Sequence, residues 1–478
     1  MTDLQAITQA TPLVRTLFDT QRAGFDADPY PSLQERLDRL DRLNAALAAH
    51  KEELIAAINR DFGCRSRSET LIAEILGCHG AIHYARKNLR KWMKLRRRHT
   101  SFWSLPAKCY VVPQPLGVVG IMAPWNYPLH LAVAPLVAAL AAGNRAMIWM
   151  SDEVPHTARC LSDLMARTFD NALVTVMTGD ARQAAEFAAL PFDHLLFTGS
   201  TRVGKLIAAA AAPNLTPVTL ELGGKSPAIV APDYAIKEAA ARITWGKSFN
   251  AGQTCIAPDY VLVPRGDARR FADQVLANFK QHFNSILDHD YTAIVSERFF
   301  RRLNTLLDEA RDKGATILQP YGIEQSVVDG THKVPLTIVL DAPADCALMQ
   351  EEIFGPILPV IGYDTLDEAI AYVAARDKPL SLYCFSHDRS VQRDILRRTS
   401  SGSVGINDAL LQYIQEDLAF GGVGASGMGS YHGKEGFDTF SHAKSVFEQR
   451  GFGHFTGVKL LYPPYGPISR AVLRLMGV

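Results

Sequence analysis

Cys255 closes the run Phe249-Asn250-Ala251-Gly252-Gln253-Thr254-Cys255, and Glu221 stands 34 positions earlier in Leu220-Glu221-Leu222-Gly223-Gly224-Lys225. Each segment sets a reactive side chain beside glycines, which let a backbone approach a ligand closely. A thiol nucleophile with a carboxylate base can form a thioester and hydrolyse it. A free thiol, with a pKa near ~8.5, is already a few per cent thiolate at neutral pH, so a modest shift makes it a good nucleophile. The competing reading is a cysteine buried in a loop as a small hydrophobe; the Gly252-Gln253-Thr254 run weighs against it. Glu221 ends a β-prone run, 216–220, and a carboxylate at a strand end faces a ligand crevice. Partial burial would raise its pKa toward that of a general base. Equally open on spacing alone is an ion pair with Lys225 or another cation.

A third segment, Ala123-Pro124-Trp125-Asn126-Tyr127-Pro128, lies between a β-prone run and a helical one. The Asn126 amide can stabilise an oxyanion or cap the following helix, and the orphan amides of one helix start can serve a ligand as well. Gly422, Gly424 and Gly427 match G-x-G-x-x-G only formally, because no strand precedes them and no βαβ unit follows. Phe197-Thr198-Gly199-Ser200-Thr201-Arg202-Val203-Gly204 is better placed: it follows a strand and opens a helix, where a pyrophosphate can bind, although G-x-x-x-x-G alone is a weak signal.

The elements that must position these groups follow from the rest of the 478 residues, too many for one core, so two or three packed units are expected. Apolar residues make up 47% and charged residues 21%, and the net charge is +1; nothing global draws the chain to nucleic acid or an anionic membrane. Seven scattered cysteines without a C-x-x-C pair argue against a disulfide framework and a thiolate metal site. Residues 1–9 lack a secretory pattern and the longest apolar run, 131–142, is too short to span a bilayer, so a cytoplasmic protein without a stable membrane anchor is expected. Residues 33–98 read as helices. From residue 116, β-prone runs (116–122, 146–149, 173–177, 194–197) alternate with helical ones (128–142, 155–169, 181–190, 203–212), the signature of a parallel sheet flanked by helices. A second alternating region starts near residue 228, with strands expected at 260–263, 336–340, 357–361 and 382–385. Residues 421–436 read as loop. The basic run 86–99 reads as a solvated helix face and its C-terminal turn.

Taken together, PWNYP at 124–128, FTGSTRVG at 197–204, LELGGKSP at 220–227, NAGQTC at 250–255, EEIFGP at 351–356 and FGGVGASGMG at 420–429 resemble the aldehyde dehydrogenase superfamily over residues 30–470. YHGKEGFDTFSH at 431–442 and the YPPY tail are similar to its class 3 branch, and within it to the bacterial coniferyl aldehyde dehydrogenases. The resemblance implies an α/β chain: a Rossmann-like cofactor domain (1–98 and 116–221), a catalytic α/β domain (222–420), and a small β bridging and oligomerisation element with a C-terminal tail (99–115 and 421–478) that builds a homodimer. It implies Cys255 as nucleophile, Asn126 with the Cys255 amide as oxyanion hole, and Glu221 as activator of the deacylating water. Trp125, Gly199, Ser200, Val203, Leu222, Glu352 and Phe354 would line the cofactor. Tyr127, Trp245 and the loop 409–416 would border the channel of an aryl or medium-chain apolar aldehyde. The implied cycle runs from thiolate attack through hydride transfer to NAD(P)⁺ to thioester hydrolysis, with no metal.

One departure matters. Where the pattern has a lysine and then a glutamate holding the adenosine ribose, this chain has Trp149 and Asp152. An indole offers one donor and no charge, and a lost charged hydrogen bond costs about 1.5–3 kcal/mol. The cofactor expected is therefore NAD rather than NADP, bound roughly ten- to a hundredfold more weakly. Two other readings stay open: a cofactor-independent cysteine thioester or ester hydrolase, and a dimeric binding protein with weakened cofactor binding.

Overall fold

The computed structural model describes residues 12–321, 330–450, 462–475 and 477. Two open sheets dominate it. The first has six strands in the order Gly427–Met428, Val218–Glu221, His194–Thr198, Val118–Ala123, Arg145–Met150, Val174–Thr178, parallel except for the two-residue edge strand. The second has seven in the order Thr316–Leu318, Thr337–Leu340, Ile357–Tyr363, Tyr260–Pro264, Pro227–Val230, Ser381–Phe385, Ser403–Ile406, of which only the first pair is antiparallel. Parallel strands need helical crossovers that cover both faces, and their residues are accordingly mostly buried and apolar rather than alternating. Val118–Ala123 and Ser381–Phe385 are buried at every position. The architecture is the α/β one that the alternation of elements implied.

The helix His130–Ala142 is buried along its whole length, being apolar on every side. It ends at Gly143, whose left-handed φ of 95° lets the amide turn back onto the last carbonyls. One apolar core joins residues of both large sheets, among them Ile121, Ile148, Val230 and Val261, so the carboxyl ends of strands from the two sheets are held in fixed relation. No helix among the described residues is long and apolar enough to cross a membrane.

Two local expectations need correction. The helix Leu76–Trp92 stops short of the last arginines of the basic run. Arg96–Arg98 instead pairs with Lys108–Pro115, which also pairs with Ser441–Glu448, in a three-stranded antiparallel sheet. Arg96 is fixed there by an ion pair with Asp438, a long-range partner that local charge density does not reveal. Residues 421–436 are not all loop either. Gly427–Met428 pairs with Leu220–Glu221, and a short helix starts at Gly433. Close approach requires glycine here: a Cβ at Gly427 would lie 2.1 Å from the Leu220 carbonyl. The YPPY residues are described, before a short helix Pro467–Leu475; residues 1–9 and the start of the tail lie outside the described residues.

Candidate active site

The segment carrying Cys255 is built against local preference. After the helix Ile236–Ser248 the chain turns through Asn250, Ala251 and Gly252 with φ of 52°, 49° and 69°. Non-glycine residues in this region are strained and persist only where the surroundings hold them. Here the Glu69 carboxylate accepts the Asn250 amide at 3.1 Å from each oxygen, and the Gln253 side chain donates to the carbonyls of Asn250 and Ala293 at 3.0 Å. The Gln253 Oε1 accepts the Val295 amide at 3.0 Å. Gly252 has no room for a side chain, since a Cβ would lie 2.5 Å from the Gly355 carbonyl.

Asn126 is buried and donates its side-chain amide to the Gln253 carbonyl at 3.1 Å, which ties it to the cysteine loop. It caps no helix. The Glu74 carboxylate accepts the Leu129 and His130 amides at 2.7 and 3.1 Å at that helix start. The Asn126 carbonyl accepts from Arg65 at 2.9 Å, and Arg65 lies 3.6 Å from Glu74 with both side chains fully buried. Arg65, Glu69 and Glu74 thus position Asn126 and the loop 250–255 from behind. Sequence reasoning passed over them, because a charge in a helical stretch reads as solvated and nothing local marks these three as buried.

Glu221 is 2% exposed and neither carboxylate oxygen has a hydrogen-bond partner. Burial alone pushes its pKa well above the usual carboxylate range. Its possible partner Lys225 is engaged elsewhere, with Asp259 and with the carbonyls of Leu348 and Glu351 at 2.8 Å. That rejects the ion pair and leaves Glu221 free for a water or ligand. Glu352 presses against Gly223, where a Cβ would sit 2.2 Å from Oε2, and its chain segment is held by Arg302, which donates to the Glu352 and Ile353 carbonyls at 2.7 and 2.8 Å. Burial and then nearby Asp259 raise Glu352 to about 8. Lys247, also passed over, is fully buried, and burial lowers it to about 8.

Burial, then Glu352, then Glu221 push the half-buried Cys255 thiol up to about 12. Both carboxylates oppose the thiolate. Carbamidomethylation of Cys255 without cofactor is therefore expected to be slow at pH 7 and to rise about tenfold per pH unit through pH 10. Glu352→Gln, which removes a negative charge, should speed it at pH 9. Peptide mass spectrometry reads the rate, and a profile flat above pH 8 would contradict this electrostatic picture.

Cys255 opens into a cavity of about 340 Å³ lined by Tyr127, Trp245, Phe249, Leu410, Leu411, Tyr413 and Ile414 among others. The Tyr127 hydroxyl is 2.7 Å from that of Thr254, and Trp245 packs on Phe249 at 5.6 Å between ring centroids. The structure therefore brings Cys255, Tyr127, Trp245 and the loop 409–416 to one cavity.

On the cofactor side, the helix Thr201–Ala211 starts directly after the strand His194–Thr198 and Gly199, with Ser200 accepting the Val203 amide at 3.3 Å. Leu222 packs over Gly204, and the buried Thr198 hydroxyl has no partner. Trp125 lies 4.6 Å from Phe299 and 5.3 Å from Phe354, which holds a positive φ of 53°. Asp152 is exposed in the turn that follows the strand Arg145–Met150. Trp149 is 5% exposed. Its indole packs on Phe187 at 5.5 Å, and a Cβ on Gly179 would touch its far edge at 3.0 Å. The tryptophan is thus part of an apolar cluster that also includes Met147, Phe197 and Leu222.

A strand-end carboxylate, a loop cysteine and an amide donor lie between a parallel sheet and an apolar cavity, a set of groups suited to nucleophilic attack on a carbonyl and hydrolysis of the resulting thioester. The family comparison agrees: residues 9–446 match the aldehyde dehydrogenase family model, and the chain belongs to that family. It is 50% identical over 474 residues to a Pseudomonas aeruginosa protein named probable coniferyl aldehyde dehydrogenase, covering 99% of this chain and 98% of that one. The substrate-bound AldH of Staphylococcus aureus superposes with a TM-score of 0.91 at 36% identity, covering 98% of this chain and 100% of the other. The NAD⁺ complex of a Mycobacterium tuberculosis aldehyde dehydrogenase superposes at 0.82 and 27% identity, covering 93% and 91%.

Proposed function

We propose that this chain oxidises an aryl or medium-chain apolar aldehyde to its carboxylate with a nicotinamide dinucleotide, preferring NAD over NADP. The observation that carries the reading is a reachable thiol at the floor of an apolar cavity, within the electrostatic influence of a buried, unpartnered Glu221 carboxylate. The Cys255 thiol gives its proton to water and the sulfur attacks the carbonyl carbon, while the Asn126 amide with the Cys255 N–H receives the developing oxyanion. The dinucleotide, when bound, accepts the hydride. Glu221 then takes a proton from a water that hydrolyses the thioester.

The residues present fit the nicotinamide half of that cofactor. Glu352 offers acceptors for ribose hydroxyls, and the buried Thr198 hydroxyl next to Gly199 and Ser200 has no protein partner. At the adenosine ribose the fit is poorer, because Trp149 brings no cation and turns into the apolar cluster; this supports weak binding and a preference against the 2′-phosphate. The similarity to a protein named for coniferyl aldehyde supports an aryl substrate. A homodimer is supported by the strand Ser441–Glu448, a largely exposed edge of the three-stranded sheet whose unpaired backbone invites a second chain.

An aldehyde panel read at 340 nm with both cofactors tests the reading. NADH formation is expected from aryl or medium-chain aldehydes and lost in Cys255→Ser. Ester hydrolysis with no NADH from any aldehyde would favour the hydrolase instead.

A further inference from the structure

We infer that Glu416 selects, among apolar aldehydes, those that carry a neutral hydroxyl donor remote from the carbonyl. The inference rests on the cavity being the aldehyde channel. Its walls are hydrocarbon from Ile72, Leu76, Leu131 and Ile414, and aromatic from Trp245 and Tyr413, and Glu416 is the one carboxylate among the residues that line it. The carboxylate lies beside the helix Leu76–Trp92: a Cβ on Gly80 would rest 3.7 Å from Glu416 Oε1, at ordinary van der Waals distance. One turn earlier, Gly77 makes room for the His130 ring, which a Cβ there would meet at 2.8 Å.

Neighbouring polar groups do not satisfy this carboxylate. Burial is the only influence that moves its pKa, raising it to about 7, with no hydrogen bond and no charge contributing. The adjacent Asp417 is already paired with the Tyr84 hydroxyl. Buried His130 is kept neutral by burial, which lowers it to about 4, and its Nδ1 faces the Cys78 sulfur at 3.8 Å. The Tyr413 hydroxyl is turned to that of Tyr431, 3.5 Å away.

Glu416 is only partly buried, so water can serve it while the cavity is empty. A substrate that fills the cavity displaces that water. If its far end is hydrocarbon, the carboxylate is left desolvated without a donor, which is the expensive arrangement. A hydroxyl on that end removes the penalty. An ammonium would also pair with Glu416, but it must itself be desolvated among aliphatic walls, at greater cost than a hydroxyl. The carboxylate therefore acts more by rejecting plain hydrocarbon ends than by adding affinity, as buried polar groups do in discriminating sites.

Two matched aldehydes and one cationic aldehyde test this: 4-hydroxycinnamaldehyde, cinnamaldehyde and 4-aminobutanal, each with the native chain, Glu416→Gln and Glu416→Leu. The native chain should favour the hydroxylated compound about tenfold or more in kcat/KM. Glu416→Leu should abolish that preference, mainly by raising KM for the hydroxylated aldehyde and lowering it for the plain one, and Glu416→Gln, which keeps an acceptor, should fall between. Calorimetric binding of 4-hydroxycinnamyl alcohol and cinnamyl alcohol, which needs no turnover, should show the same pattern. Equal binding of the two alcohols by the native chain, an unchanged preference in Glu416→Leu, or a preference for 4-aminobutanal would each overturn the inference. No oxidation of any aldehyde, with the alcohols still discriminated through Glu416, would overturn the proposed activity and leave the selectivity standing.

Discussion

Glu221→Gln is expected to release one equivalent of NADH per active chain and then nearly stop, with a steady-state rate about 10²–10⁴-fold below that of the native chain. Thiol attack and hydride loss do not require a base at this position once the thiolate forms, whereas hydrolysis of the thioester does. Glutamine preserves shape and burial but cannot take a proton. Stopped-flow absorbance at 340 nm separates burst from steady state, and mass spectrometry after acid quenching should find the acyl group on Cys255. A steady-state rate within a few-fold of native would remove Glu221 from deacylation. The pH dependence follows in sign. Burial raises the Glu221 pKa, so the ionised base appears only above the ordinary carboxylate range, and the native rate should climb with pH there while the variant loses that limb. The same shift bears on stability: a folded-state pKa above the unfolded one stabilises the folded chain below the unfolded pKa, and that contribution is lost as pH rises through the folded pKa. The glutamine variant should therefore lose less stability toward alkaline pH, so a folded variant with a stalled reaction is the combination to look for.

Trp149→Lys is the second large effect. A lysine at this position adds a cation and three donors, and NAD binding is expected to tighten about ten- to a hundredfold, with a larger gain for NADP because of its extra phosphate. The substitution also removes an indole packed against Phe187 and Gly179. A loss of roughly 2–4 kcal/mol in stability should accompany the gain, by analogy with other large-to-small core changes. Calorimetric titration of each cofactor and thermal unfolding measure the two sides. Trp149→Ala serves as control: an equal gain in affinity there would assign the obstacle to the indole's bulk and not to the missing charge, and no gain in either variant would clear Trp149 of any role.

Much of the fold was legible because hydrophobic periodicity is local. The runs at 146–149, 173–177 and 194–197 became Arg145–Met150, Val174–Thr178 and His194–Thr198, within a residue or two at each end. Elements whose partners lie far along the chain were not legible. Arg96–Arg98 is a strand only because Lys108–Pro115 and Ser441–Glu448 complete its sheet, and Gly427–Met428 only because Leu220–Glu221 lies alongside. The same division runs through the site. A thiol after an N-A-G-Q-T run and a carboxylate before paired glycines are chemical facts written in order along the chain, so Cys255, Glu221 and Asn126 could be named as candidates from residue type and spacing, whereas the oddity at Trp149 shows only against the pattern of the family the chain resembles.

Which of the competing meanings each residue takes was decided only by the tertiary structure. Lys225 stands four positions from Glu221 yet pairs with Asp259, and that choice leaves Glu221 without a partner. Asn126 reaches the Gln253 carbonyl because Arg65 and Asn250 hold its backbone. Glu416 lines an apolar cavity together with Gly80, more than 330 residues away. Sequence determines which groups the chain carries and the local periodicity that folds them. Burial and partnership, which set pKa and reactivity, are properties of neighbours brought together across hundreds of residues, and they exist only once the chain has packed.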